Sequence, residues 1–325
     1  MKTEIIKLLK HTDNYVSGQE ICEQFGVSRT AVWKVMNQLK EEGYEIESVP
    51  KKGYRLLNEP DVLSKSELLS RVTTEWAGRT VYYFDETGST NNDVRRLMSE
   101  GAPHGTLAVA DKQTAGKGRR GRTWISPAGA NIFMSLGLRP EISPDKASML
   151  TLVMALAVCD AIRETTRTDA KIKWPNDIVV NGKKVCGMLT ELEAELDCIH
   201  SVVVGIGINV NQTEFASEIS QTATSLLIES GNKVLRALLV ERVLHYFEKY
   251  YAEFMAGEDL SALREAYNER LVNLDKDVRV LDPKGEYDGI ARGIDEQGQL
   301  LVEKDGETVK VYAGEVSVRG VYGYV

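Results

Sequence analysis

The chain has 325 residues, 42% hydrophobic and 27% charged, and 40 Lys and Arg against 48 Asp and Glu leave a formal net charge of −8. That length exceeds what one hydrophobic core usually fills, so two or three domains are expected, and the composition excludes disordered and fibrous classes. The acidic balance excludes a protein that coats nucleic acid through bulk charge, so any DNA contact must be local.

The first residues, MKTEIIKLLK, carry charges between apolar positions and no small-residue cleavage site, which predicts a helix over Thr3 to Lys10 rather than a signal peptide. Ser17 followed by Glu20 spells a capping box, and Gly26 after Phe25 ends the helix that it starts. Ser28 then caps a third helix reaching Glu42, so a tight turn joins the two as in a helix-turn-helix. Ala31, Val32, Val35, Met36 and Leu39 form the buried stripe of the third helix. Thr30, Trp33, Lys34 and Asn37 face outward, and Ser28 and Arg29 stand at its start, placed for a DNA groove or phosphate. Gly43 stops the helix, and Tyr44 to Val49 and Tyr54 to Leu57 alternate as strands around Pro50-Lys51-Lys52-Gly53, a wing whose lysines suit backbone phosphates. The alternative is a three-helix packing module with Trp33 buried. Residues 1–58 hold nine Lys and Arg against eight Asp and Glu, so DNA affinity would rest on positioning and dimerisation. Residues 59–66 read as a linker, with a new domain from Ser64.

Val81 to Phe84 is strand-like and delivers Thr87-Gly88-Ser89-Thr90-Asn91 ahead of a helix from Asn92; alone, such a motif is usually an N-cap. Thr106 to Ala110 is a strand leading into KQTAGKGRRGR, Lys112 to Arg122, with five basic residues and no acid. Its glycines let backbone N–H groups approach an anion, and Lys117, Arg119, Arg120 and Arg122 supply charge and bidentate donors for carboxylate or phosphate. Self-repulsion predicts a loop that orders on its ligand; a solvated basic loop is the alternative. Gly116 to Gly121 spells GxGxxG, but Thr123-Trp124-Ile125-Ser126-Pro127 follows where a dinucleotide fold needs a helix, so that fingerprint is excluded. A magnesium-binding phosphate loop is excluded because neither Gly-Lys pair is followed by Ser or Thr.

In KIKWPNDIVVNGKKVCGMLTE, Lys171 to Glu191, Asn181-Gly182 predicts a two-residue hairpin. Counting from it pairs Val180 with Lys183, Val179 with Lys184 and Asp177 with Cys186. Asp177 and Lys184 then share a sheet face on diagonal positions roughly 7 to 8 Å apart, while Lys183 points away. Lys184 becomes the functional lysine, with Asp177 beside it for a cation or a ribose; a structural salt bridge is the alternative. Val202 to Asn211 reads as a buried strand with Asn209 at its end.

Met149 to Cys159, the most apolar run, is about half the roughly 20 residues that a membrane span needs. It falls in a helix expected from Pro144 to Arg163. A second long helical period covers Val234 to Leu271. Short alternating segments, Val278 to Leu281, Tyr287 to Gly293, Leu300 to Glu303 and Val309 to Tyr312, follow between Pro283, Gly285, Gly298 and Gly306 and predict a small β-barrel. The four cysteines, Cys22, Cys159, Cys186 and Cys198, show no CxxC pair and fit a reduced, cytoplasmic setting. The expectation is a mixed α+β chain with domains at 1–63, 64–273 and 274–325.

Taken together and in order, GSTN (Gly88 to Asn91), GKGRRGR (Gly116 to Arg122), KWPND (Lys173 to Asp177), KKVCGML (Lys183 to Leu189) and GIGIN (Gly205 to Asn209) resemble the bifunctional biotin protein ligases and biotin operon repressors over nearly the entire chain. The resemblance implies a winged helix-turn-helix, a central ligase sheet related to lipoate ligases and a C-terminal SH3-like barrel. It implies that biotin and MgATP give biotinyl-5′-AMP and pyrophosphate, and that biotin then passes to a lysine of a biotin carboxyl carrier domain, as in acetyl-CoA carboxylase. No enzyme nucleophile is needed for such chemistry, in line with the absence of an evident Ser/His/Asp triad.

By that resemblance Ser89, Thr90 and Gln113 meet the biotin head group, with Asn91 beside them, while Gly116, Lys117, Gly118 and Arg119 wrap biotin and its adenylate. Lys184, near Gly187, holds carboxylate and α-phosphate and is catalytic together with Arg119. Trp124 covers adenine, and Arg122, Asn131, Asp177 and Asn209 lie near nucleotide and magnesium, for which Asp177 is the candidate ligand. Lys117 stands where the familiar motif has Arg, which keeps the charge and loses the bidentate fork. Biotinyl-5′-AMP is expected as corepressor, driving a homodimer on a palindromic operator of biotin synthesis genes.

Overall fold

A computed structural model describes every residue except 197, 283–284, 314–316 and 322. Contacts divide the chain into two compact units, Met1–Thr73 with Leu235–Glu241, and Thr74–Val234 with Arg242–Val325.

The first unit opens with α1 (Lys2–Lys10), α2 (Gly18–Phe25) and α3 (Arg29–Glu41). Ser17 Oγ accepts from Glu20 N and Ser28 Oγ from Ala31 N, so both helices start on the side-chain caps expected, each worth about 1 kcal/mol. Gly26 takes the left-handed conformation (φ 65°) that lets the chain turn between them. Ile5, Ile6, Leu9, Ile21, Val32, Val35, Met36 and Leu39 fill one core. The wing is an antiparallel pair, β1 (Glu45–Val49) and β2 (Gly53–Asn58), extended by a backbone bridge from Val16 to Tyr54.

This unit continues past residue 63. Ser64 caps α4 (Lys65–Arg71), and Glu67 of that helix, 1% exposed, takes Lys10 Nζ at 2.5 Å, Arg71 Nε at 2.6 Å and the Tyr44 hydroxyl. A buried carboxylate is tolerated only with such partners, and two of these, Lys10 and Tyr44, come from the helix-turn-helix and its flank. Glu59, in the polar stretch that resembles a linker, joins the same cluster, pairing with Lys10 at 3.2 Å and with Arg71.

The second unit is built on a seven-strand sheet: β3 (Val81–Thr87), β4 (Thr106–Gln113), β5 (Ile132–Leu138), β6 (Lys171–Lys173), β7 (Asp177–Val180), β8 (Lys183–Ala194) and β9 (Ile199–Ile208), in the order β3-β4-β5-β9-β8-β7-β6. Only β3 and β4 run parallel, joined through α5 (Thr90–Ser99), whose Val94 and Met98 pack on Ala108 and Val203. Between β5 and β6 lies α6 (Met149–Thr166), buried from Met149 through Ile162 apart from Thr151, as a helix apolar on all sides must be. It does not begin at Pro144 as expected. Pro144–Lys146 forms a 3₁₀ turn, closed by Ala147 N on the Pro144 carbonyl, and the α-helix starts where the apolar run starts.

After α7 (Leu226–Ser230), the single helix expected over Val234 to Leu271 is two, α8 (Arg236–Gly257) and α9 (Arg264–Arg270). They part at Glu258 (φ 52°), beyond which Leu260 is buried and its N–H bonds the Glu296 carbonyl. The break lets the connection brace the last sheet. That sheet has five antiparallel strands, β10 (Asp277–Leu281), β11 (Tyr287–Ile294), β12 (Leu300–Lys304), β13 (Glu307–Val311) and β14 (Ser317–Gly320), ordered β13-β12-β11-β10-β14. β14 is absent from the sequence reading, and Pro283, expected as a separator, lies outside the described residues.

Candidate functional site

Five sequence motifs converge at one end of the seven-strand sheet around two adjoining cavities. The first, about 60 Å³, is lined by Ser89, Thr90, Asn91, Gln113, Lys117, Gly118, Arg119, Lys184 and Gly187, all expected there. Its uncharged groups form a network: Gln113 Oε1 accepts from Thr90 N at 2.9 Å and Thr90 Oγ1 at 3.2 Å, and Gln113 Nε2 donates to Ser126 Oγ at 3.1 Å. Ser135 Oγ lies 2.7 Å from Thr90 Oγ1 and 2.6 Å from Asn91 Oδ1, and Asn91 Nδ2 donates to Glu191 Oε2 at 2.8 Å. Ser89 sits at the N-cap position of α5 without making a side-chain cap bond, so its hydroxyl is not spent on the helix end.

The second cavity, about 330 Å³, is cationic. Arg119, Arg120, Arg122, Lys173, Lys184 and Arg319 line it, with Asp177 as the single carboxylate among the described residues. Lys184 Nζ is 2.6 Å from Asp177 Oδ1, and the Tyr324 hydroxyl donates to Asp177 Oδ2. Burial alone would push the Asp177 carboxyl up; the charges of Lys184 and Lys173 and the bonds from Lys184 and Tyr324 outweigh it and hold the group below its ordinary range. Burial draws Lys173 down to about 8, against the opposing pull of Asp177. The same cost of burial lowers Arg119.

The hairpin that carries this pair turns at Asn181 (φ 48°) and Gly182 (φ 76°), the two positive values that its loop requires. Val180 pairs Lys183 and Val179 pairs Lys184 as counted, but Asp177 faces Gly187, not Cys186. An extra residue, Val185, bulges β8 between the two pairs and shifts the register by one. Asp177 and Lys184 still share a face, and the long lysine closes the diagonal into an ion pair.

Trp124 separates the cavities and lines both. Its indole rests on two glycines: a Cβ at Gly207 would come within 2.6 Å of the ring and one at Gly187 within 2.9 Å. Indole Nε1 is buried with no hydrogen-bond partner among the described residues, and Lys184 Nζ stands 5.3 Å from the ring centroid. The basic loop folds back on itself, with Gly118 N on the Arg122 carbonyl (2.7 Å) and Trp124 N on the Gly116 carbonyl (2.9 Å), and no helix follows it.

Two expected residues stand behind the walls. Gly116 lines neither cavity, and Asn131, wholly buried, accepts from Val210 N and donates to Gln212 Oε1. Asn209 does line the second cavity, its Nδ2 on the Thr224 carbonyl. Sequence reasoning missed Ser135, Lys173, Asn176, Arg319 and Tyr324. A serine inside the otherwise apolar β5 was the one local signal for Ser135. No cluster of three or more His, Cys, Asp or Glu suited to a metal occurs among the described residues. A lone carboxylate facing a cationic pocket fits a magnesium ion that arrives on nucleotide phosphates, which supply the remaining oxygens.

In the first unit Trp33 is 57% exposed, which removes the buried-tryptophan alternative; Thr30 and Lys34 are exposed beside it and Asn37 half-buried. Arg29, Lys51 and Lys52 line a groove of about 500 Å³ between the start of α2, α3 and the wing. Ser28 spends its hydroxyl on the cap, and Arg29 Nη2 donates to Gln19 Oε1 at 2.9 Å. No helix among the described residues is long and apolar enough to cross a membrane, and all four cysteines are free.

A mixed sheet with a hydrogen-bonding pocket beside a strongly cationic one suits a ligase that activates a carboxylate, and comparison with known proteins agrees. Residues 83–209 match the Biotin/lipoate A/B protein ligase family, 2–55 an HTH domain and 274–319 the Biotin protein ligase C terminal domain. Bifunctional ligase/repressor BirA of Bacillus subtilis (strain 168) is 41% identical over 321 residues, 98% of each chain, and that of Escherichia coli (strain K12) 31% identical over 324 residues, 97% of this chain and 96% of the relative. The Aquifex aeolicus biotin protein ligase, solved in complex with biotin and ATP, superposes with a TM-score of 0.66 at 31% identity, over 74% of this chain and 99% of that one. The chain belongs to the biotin protein ligase family, in its bifunctional ligase/repressor branch.

Proposed function

We infer that the protein activates biotin with MgATP and transfers it to a lysine of a biotin carboxyl carrier domain. The observation that carries this reading is the meeting of a hydrogen-bonding cavity, built on Ser89, Thr90, Asn91 and Gln113, with a strongly cationic one at Lys184, Trp124 and Arg119. In the first step a carboxylate oxygen of biotin attacks the α-phosphorus, the Pα–O bond to the β-phosphate breaks, and pyrophosphate leaves. The lysine amine of the acceptor then attacks the acyl carbon, AMP leaves, and the amine proton goes to solvent.

Ser89, Thr90, Asn91 and Gln113 hold the head group, while Lys117, Gly118 and Arg119 enclose the chain and the adenylate. Lys184 leaves Asp177 to bridge carboxylate and α-phosphate, where it offsets the charge that gathers in each transition state. Asp177 then turns toward the magnesium of the nucleotide and remains ionised through Lys173 and Tyr324. Arg122, Asn209 and Trp124 bound the nucleotide, Trp124 by moving from its glycine seat onto adenine. Asn131 acts from behind the wall.

The first unit makes the same protein a repressor of biotin synthesis genes. Thr30, Trp33, Lys34 and Asn37 enter a groove of operator DNA, while Arg29, Lys51 and Lys52 meet phosphates. Biotinyl-5′-AMP is the corepressor, and a homodimer occupies a palindromic site. Free thiols throughout suit the cytoplasm. Incubation with labelled biotin, ATP, magnesium and a carrier domain should label the acceptor, and operator affinity should rise when biotin and ATP are added. An acceptor that a known ligase labels and this protein does not would end the ligase reading.

A further inference from the structure

We propose that Asn176 is a positioning residue that latches the basic loop over the site by accepting a hydrogen bond from Arg119. Asn176 Oδ1 takes Arg119 Nη1 at 2.7 Å. The amide has little freedom to do otherwise, because Nδ2 donates to the Met188 carbonyl at 2.9 Å and the Asn176 carbonyl accepts from Met188 N at 2.9 Å. With its donor spent on β8 and its backbone bonded to that strand, the side chain presents its acceptor in one direction.

The place of this bond gives it consequence. A third cavity, about 310 Å³, lies beside the first two, bounded by Pro144, Thr151, Leu189 and Leu192. Arg119 and Asn176 are the two residues that line all three cavities. The Arg119–Asn176 pair is thus the partition at which they meet, and its opening would join them.

The chemistry of the acceptor matters as well. Arg119 is a partly buried guanidinium in a loop with three other cations and no acid, so its attachment to the sheet must overcome local repulsion. A carboxamide supplies a strong acceptor without neutralising the cation, and Arg119 keeps its charge for an anionic ligand. A carboxylate at position 176 would hold the loop as well and use that charge.

This inference rests on the ligase reading only for its consequence, retention of the adenylate; the latch itself is tested without ligand. Tryptic cleavage between Lys117 and Arg122 is followed in the full chain, together with its unfolding temperature. Asn176→Ala should raise the cleavage rate about tenfold, the loss expected for one hydrogen bond to a charged donor, and Asn176→Asp should restore protection. If Asn176 merely anchors β8, both variants lose the Nδ2 bond to Met188 and open equally, which overturns the proposal. Unchanged cleavage in Asn176→Ala overturns it too. On preformed labelled adenylate, Asn176→Ala should shorten retention and Asn176→Asp should not restore it fully, since its loop is closed but its cation neutralised. Failure of the parent chain to form adenylate would count against the ligase reading and leave the proteolysis result standing.

Discussion

The two cavities that meet at Trp124 are built on opposite principles. The first spends its donors and acceptors on one another, Ser135 to Thr90 and Asn91, Thr90 to Gln113, Gln113 to Ser126, so that a ligand must replace bonds already made. The second carries six cations against one described carboxylate, so an anion meets an excess of positive charge. Selectivity belongs to the first, because a group that fails to match the network leaves buried polar atoms unpaired. Affinity and charge stabilisation belong to the second. Lys184 lines both, as Arg119 and Trp124 do, and its ammonium faces Asp177 across them, so its loss should damage both functions together.

The largest effect follows from that position. Lys184→Ala should slow adenylate formation, read as pyrophosphate release, by roughly 10²- to 10³-fold, as does removal of one preorganised charge-stabilising donor elsewhere. Transfer from preformed adenylate should slow by a similar factor. Normal transfer with slowed activation would assign Lys184 to the nucleotide side alone. Because the change leaves Asp177 without its ion-pair partner, the unfolding temperature belongs in the same experiment.

A smaller effect should separate the cavities. Ser135 is wholly buried and lines neither, yet its hydroxyl joins Thr90 to Asn91. Ser135→Ala leaves one buried acceptor short of its donor, a cost of about 1 to 3 kcal/mol, and should weaken biotin binding by roughly tenfold with nucleotide binding unchanged. Calorimetry with each ligand alone reads the two affinities. Equal losses for both would mean that the network supports the whole sheet end rather than one pocket.

Much of this division was legible in the sequence, because local chemistry carries it. The basic loop, the Asn-Gly turn and the helix caps at Ser17 and Ser28 depend on neighbours a few residues away. The bulge at Val185 was not legible: alternation fixes faces only until an extra residue enters a strand, and nothing in KKVCG marks one. Arg319 and Tyr324 reach the cationic cavity by the return of β14 and the segment after it, a contact with Asp177 across 147 positions that no short pattern encodes. The breaks before α6 and after α8 escaped for a related reason. A helical period persists through turns that bury the same face, so it overstates continuity.

The smallest effect concerns Lys173, which those same long-range contacts place in the cationic cavity, 4.4 Å over the Tyr324 ring. Burial brings its ammonium down to about 8, so near neutrality it is largely charged and attracts a polyphosphate. As pH rises through that value the free protein loses the charge, and nucleotide binding must then take up a proton. The affinity for ATP should therefore fall between pH 7 and pH 9, by at most about tenfold per unit. Affinity for biotin, whose carboxylate is ionised throughout that range, should change little. Lys173→Arg keeps its charge over the whole interval and should flatten the ATP profile without altering the biotin one. A biotin profile that followed the ATP profile would show that Lys173 acts on both cavities, and the contrast between them would then rest on Ser135 and its network alone.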